Sequence, residues 1–376
     1  LFRSVGWYNS SLRINEPLLA KDKKNTYLLN TEVTALNKGR QVKKAVDTLN
    51  VLNKLASPND GQVRGLNNII RTPLRHNLNL EGFYTWASDT TRIADIPVTG
   101  QYFISPATSL QFYGLYEHAK AAVGSGLDTN DNKPTIFDET AMIGFTHQFA
   151  GLFNLNASVG GLKIQDRNNH GVYNTSINTN LGETAKITFQ SLFNLYRPYL
   201  IPQSPRSISN QIMENRRLAA LEWQPFIQKY LNVIVSQSDL TDNNGYWHYN
   251  IWPKARVWAS QYWLVTVGAN ADLWRYRRRA GDGYYSPLKF NGFEGTAEFY
   301  YAYSDNIGLS FWGGFGMQKD ETFPRYFYEE DLGAQLFLGI FTDWELKGRA
   351  GYTLRYNPIG QYRSWAGGLV LTRRFQ

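Results

Sequence analysis

The chain has 376 residues, with 39 Lys and Arg against 31 Asp and Glu (formal charge +8), 15% aromatic residues, 32 Gly and no Cys. A disulfide framework and a thiolate metal centre are thereby excluded, and no apolar run approaches the roughly 20 residues of a membrane-spanning helix. The basic residues are spread along the sequence instead of forming one patch, which speaks against a nucleic-acid interface despite a pI near 9.3.

The chain opens at Leu1-Phe2-Arg3 without the basic and apolar regions of a secretory leader, so it reads as the mature C-terminal piece of a longer protein. From Pro17 to about Leu66 the apolar period is helical. Leu28, Leu29, Val33 and Leu36 make one stripe, and Val42, Ala45, Val46, Leu49 and Leu52 a second, with Gly39 between them. The pair stops at Ser57-Pro58-Asn59-Asp60-Gly61, after which Val63 and Leu66 begin a further helix. Ala45 is the small residue where two helices approach closely, and Leu29, Leu36, Leu49 and Leu52 fill the large apolar positions, so the segment resembles a tetratricopeptide repeat. One such repeat cannot bury both of its faces, which makes it the expected last member of an array.

After Arg71-Thr72-Pro73 the helical period vanishes. Residues 1–72 are therefore expected to form a helical segment and 73–376 a stranded domain. Trp344, Leu346, Gly348, Ala350, Tyr352, Leu354 and Tyr356 alternate strictly with Glu345, Lys347, Arg349, Gly351, Thr353 and Arg355. The same period of two recurs in candidate strands at 76–88, 92–104, 107–120, 137–150, 152–165, 171–182, 184–197, 208–225, 229–240, 246–259, 262–277, 292–304, 306–319, 327–342, 344–357 and 361–375. About sixteen strands, each with one apolar and one polar face and with aromatics at the ends, predict a transmembrane antiparallel β-barrel, lipid outside and polar lumen inside. A mean hydropathy of −0.41 is compatible with this, because a barrel strand needs only every second residue apolar.

Connection lengths predict the orientation. Tight turns at Ser105-Pro106, Ala150-Gly151, Ser260-Gln261, Asp305-Asn306 and Thr342-Asp343 alternate with longer segments at 121–136, 241–245, 278–291 and 319–326. Tight turns belong on the periplasmic side of an outer membrane and long loops outside, so the helical segment and both ends of the barrel are expected in the periplasm. Trp365, Gly367, Leu369, Leu371 and Phe375 share one parity of the last strand, resembling the terminal aromatic signature of outer-membrane proteins, here followed by Gln376.

Parity also sorts side chains between lipid and lumen. Expected inside are His248, Asn250, Trp252, Lys254, Arg256 and Trp258; Thr266, Gly268, Asn270, Asp272 and Trp274; Glu294, Thr296, Glu298 and Tyr300; Ser310, Trp312 and Gln318; Glu345, Lys347, Arg349 and Arg355. Asn77, Asn79, Glu81, Asn154, Asn156 and Ser158 continue the polar wall. Charges of both signs, amides and indoles together suit a hydrated polyhydroxylated polymer, since amides exchange hydrogen bonds with hydroxyls and an indole face stacks on the C–H face of a sugar ring. Gly281 to Phe290 is the most distinctive loop, with Asp282, Tyr284 and Tyr285 as the candidate elements of an exit gate.

A tetratricopeptide-like segment leading into a barrel of this size, together with Gly283-Tyr284-Tyr285-Ser286-Pro287, resembles the outer-membrane exporters of synthase-dependent exopolysaccharides, the group that serves cellulose, poly-N-acetylglucosamine and Pel. The five residues are similar to a Gly-Tyr-aromatic-Ser-Pro segment in the barrel of the cellulose exporters. The resemblance implies a passive conduit without a cofactor, whose partners are a secreted polysaccharide, periplasmic and inner-membrane synthase components, and outer-membrane lipid and lipopolysaccharide. The excess of positive charge would suit an anionic or neutral glycan. The competing readings are a receptor or adhesin and a general diffusion porin. An outer-membrane enzyme is disfavoured, because His118, His147, His170 and His248 show no catalytic spacing.

Overall fold

The computed structural model describes residues 8–57, 60–149, 151–198, 200, 203–226, 228–358 and 360–375. Leu1-Phe2-Arg3, Pro58-Asn59 of the helix stop, Ala150 of one tight turn and Gln376 lie outside them.

Four helices come first: α1 (Tyr8–Lys21), α2 (Thr26–Lys38), α3 (Val42–Leu55) and α4 (Gly61–Arg71). Local chemistry sets their starts. The Asn25 side chain accepts from the Leu28 N–H to open α2, and Asp60 accepts from Gln62 and Val63 to open α4. Leu29, Val33, Leu49, Leu52, Val63 and Ile70 form one core, while Leu12, Ala35, Leu36 and Ala45 form a second. The sequence period begins at Pro17, yet α1 runs from Tyr8 with Pro17 inside it. Burying Leu12 against Ala35, Leu36 and Ala45 outweighs the helix bond that an interior proline forgoes.

A short turn of 3-10 helix at Thr72–Leu74 leads into sixteen strands: β1 (His76–Ala87), β2 (Arg92–Ser105), β3 (Thr108–Lys120), β4 (Thr135–Phe149), β5 (Phe153–Ile164), β6 (Asn169–Leu181), β7 (Ala185–Leu195), β8 (Met213–Phe226), β9 (Lys229–Leu240), β10 (Gly245–Ala259), β11 (Trp263–Tyr276), β12 (Phe290–Ser304), β13 (Ile307–Asp320), β14 (Phe327–Leu338), β15 (Trp344–Asn357) and β16 (Gly360–Phe375). Each pairs antiparallel with its neighbours in sequence, and β1 closes on β16 from His76 opposite Phe375 to Ala87 opposite Ser364. Closure satisfies every strand edge, which a bilayer demands. The candidate strand at 208–225 begins later than expected, because residues 205–209 form a one-turn helix, α5 (Pro205–Ser209), that Ser204 caps.

The longest connections gather at one end, which also carries short connections at 88–91, 165–168 and 358–359, while the other end has connections of two to five residues, the longest at 339–343. At this second end lie residues 106–107, 182–184, 227–228, 260–262 and 305–306; at the first lie 121–134, 196–212, 241–244, 277–289 and 321–326. The outward face is an apolar belt that includes Leu80, Ile96, Phe112, Ile143, Val159, Phe189, Ile251, Phe299, Phe315 and Leu369, all exposed in the isolated chain. Such a belt is stable only against lipid.

The helical segment is docked at the tight-turn end. The Tyr8 hydroxyl donates to the Gly182 carbonyl (3.1 Å) and accepts from the Asn180 amide (3.2 Å); the Ser10 N–H donates to Glu183 (3.0 Å). Between α2 and α3 the backbone turns at Arg40 in the left-handed region (φ 57°), and its guanidinium donates to the Asn178 carbonyl (2.8 Å).

Candidate functional site

The lumen is lined as the alternation requires. His248 and Asp272 meet at 2.7 Å, Trp274 Nε1 donates to the other Asp272 oxygen at 2.8 Å, and the imidazole stacks on the indole at 3.9 Å. One rung further toward the tight turns, Asn250 donates to Asn270 (2.8 Å), and Trp252 Nε1 donates to Thr296 (3.1 Å). Lys254 then donates to Glu298 (2.7 Å) with its ammonium 3.1 Å from the Trp252 ring centre, and Arg256 donates to Tyr230 (2.7 Å). Most of these side chains find a cross-strand partner, while buried polar atoms such as Arg256 Nε and Glu294 Oε1 make no hydrogen bond among the described residues.

Two aromatic side chains lie flat on the wall because the neighbouring strand carries glycine. Trp312 sits opposite Gly333, whose missing Cβ is the space that the indole occupies. Phe83 covers Gly368 in the same way, and the Arg349 guanidinium lies 3.6 Å above the Phe83 ring. Tyr300 packs edge-on to Phe337.

Charge is distributed unevenly along the axis. Toward the tight-turn end, inward cations match or outnumber carboxylates: Lys254 pairs with Glu298, Lys347 (2.8 Å) and Arg374 share Glu345, and Arg349 lies over Phe83. Toward the long-loop end, carboxylates outnumber cations. Arg355 alone faces Glu294 (3.3 Å), Glu329 (3.4 Å) and Asp331. Arg197 faces Glu117 and Asp138, each at 3.0 Å, with Asp95 against Glu117. The formal charge of +8 therefore does not describe this part of the lumen, and the expectation that cationic excess suits an anionic or neutral glycan loses its basis there.

The described residues of the segment between β7 and β8 (196–198, 200 and 203–212) enter the long-loop end of the barrel. They fold inward and touch several walls at once. The Tyr196 and Tyr276 hydroxyls meet at 2.7 Å, and Tyr196, Leu200, Ile212, Tyr246, Trp274, Tyr284 and Phe290 share one core. Ile208 of α5 packs instead with Ile93, Ala119, Ile136, Leu162 and Ile164 of β2 to β5. Arg206 donates to the Asp128 carbonyl (3.2 Å) in the loop after β3. Below the segment the lumen keeps an open cavity of about 700 Å³, lined by Arg197, Leu200, His248, Trp252, Asp272, Glu294, Trp312, Glu329 and Arg355 among others.

The loop at 277–289 clamps this segment from outside. The Ser204 hydroxyl donates to the Gly283 carbonyl, and Asn210 donates to the Asp282 carbonyl (3.2 Å). Gly283 has φ 85°, and a Cβ there would lie 2.5 Å from Arg206 Cβ and 2.7 Å from Ser204 Oγ, so only glycine permits the approach. Tyr284 donates to Asp242 (2.7 Å) and Tyr285 to Asp320; burial first, then these carboxylates, push both phenols well above their ordinary values and keep them as donors. Asp282 remains at the surface beside Arg278 (3.6 Å).

Of the lumen residues expected from the sequence, Trp252, Lys254, Arg256, Asp272, Trp274, Glu294, Glu298, Tyr300, Trp312, Glu345, Lys347, Arg349 and Arg355 all lie on inward positions. Trp274 is only 3% exposed, sealed within the tyrosine cluster. Trp258 is a correction. The β10–β11 register shifts between Arg256 and Trp258, and beyond this bulge the indole is 62% exposed at the rim instead of inside. Against the loop expected as an exit gate, 281–290, lies the inward-folding segment 196–212. Sequence parity passed over it. Its signal was three prolines in eight residues (Pro198, Pro202, Pro205) beside Tyr196, Leu200 and Ile208, a mixture that a solvated loop does not need.

No family model and no curated protein matches the sequence. Solved structures do match its fold. A bacterial polysaccharide outer membrane secretin superposes with a TM-score of 0.66 at 14% identity, covering 81% of this chain and 99% of that one. CdiB from Acinetobacter baumannii gives 0.48 at 11% identity over 80% of this chain and 60% of that one. A BenF-like porin from Pseudomonas fluorescens Pf-5 gives 0.42 at 10% over 80% and 98%. At these identities the likeness is one of fold: a sixteen-stranded barrel of the outer-membrane kind.

Proposed function

We propose that the chain is a non-enzymatic outer-membrane channel through which a secreted exopolysaccharide leaves the cell, with the tight-turn end and the helical segment in the periplasm and the segment at 196–212 as the resting closure. The observation that carries this reading is the lumen wall. From the tight-turn mouth to the closure it presents paired amides, charges of both signs and an indole laid flat at Trp312, a surface that offers a glycan many weak, replaceable contacts. The docked helical collar supports it further: helices fastened to the turns between β4 and β7 stand where a polymer would be handed to the lumen, and their resemblance to a tetratricopeptide repeat suits a scaffold for synthase components. The fold likeness to a polysaccharide secretin agrees.

The test is single-channel conductance of the purified protein in a planar bilayer, titrated with neutral, anionic and amine-bearing oligosaccharides. Reversible block by one glycan class is the expected result. Conductance that no oligosaccharide blocks would instead indicate a general diffusion porin. A barrel that stays closed even without residues 196–212 would indicate a receptor or adhesin.

A further inference from the structure

Arg92 at the start of β2 and Lys120 at the end of β3 stand directly opposite each other in register. Both share the outward parity of their strands, with Ile96 and Tyr102 on β2 and Phe112 and Tyr116 on β3, and both are exposed. Like charges in opposed positions of an antiparallel pair repel each other. Several surface cations of this rim are relieved by a carboxylate: Lys163 by Glu139 (3.9 Å), Arg277 by Asp239 (2.5 Å), Arg279 by Glu321 (2.7 Å) and Arg167 by Asp131 (2.8 Å). Arg92 and Lys120 have no hydrogen-bonding or ion-pairing partner among the described residues. Asp89, in the adjoining turn, is engaged with the Thr91 N–H at 2.9 Å.

The surroundings define what would relieve them. Trp86 lies opposite Arg92 on one side and opposite Trp365 on the other, and both indoles are outward and exposed. Indoles at that level mark the boundary between hydrocarbon and headgroups. Below them Tyr84, Ile96 and Tyr116 continue an apolar surface down the wall. Two unneutralised cations in register with an indole pair, at the head of an apolar slope, match an amphiphile with its anionic head at the rim and its chains along the barrel.

We infer that Arg92 and Lys120 bind the phosphate of a phosphorylated lipid of the membrane leaflet at the long-loop end, its acyl chains lying over Tyr84, Ile96 and Tyr116. This inference rests on the membrane-embedded barrel and is independent of what the lumen conducts.

The test is lipid binding to the detergent-purified full chain by native mass spectrometry, with bisphosphorylated lipid A, the same lipid dephosphorylated, and inorganic phosphate as probes. The expected result is that bisphosphorylated lipid A binds, that the dephosphorylated lipid binds far more weakly, and that Arg92→Gln with Lys120→Gln lowers affinity for the phosphorylated lipid about tenfold or more while oligosaccharide block of the channel is unchanged. Arg92→Lys keeps the charge and is expected to retain binding, so a double variant that fails to insert leaves a usable comparison. Equal binding of both lipids, or an unaffected double variant, would overturn the site. Saturation by inorganic phosphate at the concentrations where lipid A binds would overturn the lipid as its occupant.

Discussion

Arg197 donates to Glu117 through Nε and to Asp138 through Nη2, at 3.0 Å each, and so ties the segment after β7 to strands four and three places away round the barrel. The two carboxylates are 4% and 0% exposed. Arg197→Met would strand both without a counter-charge at a cost of about 3–5 kcal/mol, the range for breaking a buried ion pair from one side. The closure is expected to loosen, with single-channel conductance rising severalfold. A variant that inserts normally and conducts no more than the parent would show that the guanidinium does not hold the closure shut.

Gly283 is the contact between the closure and the loop that clamps it. Gly283→Val forces Cβ into the space of Arg206 and Ser204 in a backbone conformation that a β-branched residue resists, at a cost of about 1–3 kcal/mol. The expected readout is a higher open probability with barrel heat-modifiability retained. Identical gating would remove the clamp from the mechanism.

Strand β15 offers a test of register. Cysteine at Lys347 or Arg349 is expected to react with a membrane-impermeant maleimide, and cysteine at Leu346 or Leu354 to resist it. Arg355 sits within its carboxylate cage, so cysteine there should label more slowly than at Arg349. Equal labelling on both faces would contradict the inward assignment.

The aromatic wall separates two classes of tryptophan. Replacing Trp252 and Trp312 with Ala is expected to reduce oligosaccharide block at least threefold, on the order of 0.7 kcal/mol, within the range of one aromatic contact. Trp258→Ala, on the outward face at the tight-turn rim, is expected to leave block unchanged and to disturb membrane insertion instead. The reverse pattern would return Trp258 to the lumen.

The helical collar is held by few but specific bonds. Arg40→Ala with Tyr8→Phe removes the bonds to Asn178, Gly182 and Asn180. Amide exchange in α1 to α3 is expected to accelerate while barrel exchange stays constant. Uniform exchange in parent and variant would mean that the collar is held by other contacts.

The barrel itself was legible in the residues because its code is binary and local. Alternation such as Trp344, Glu345, Leu346, Lys347 has one solution when one face must meet lipid and the other water, and antiparallel neighbours inherit the same register. Where that period was interrupted, the reading failed. A single extra residue near Val257 turned Trp258 outward, and nothing in its own neighbourhood announces a bulge. The helical start read at Pro17 was moved back to Tyr8 by the burial of Leu12.

Sequence alone determined the strand count, the end at which the longest loops gather, and the inward position of nearly every lumen residue, since these follow from periods of two and from connection lengths. Tertiary structure decided the closure. Arg197 is 80 residues from Glu117 and 59 from Asp138, and Gly283 meets a serine 79 residues before it. Such contacts exist only once the sheet has closed, because it is the curvature of the barrel, and not any local preference of the chain, that brings those strands and loops to face one another.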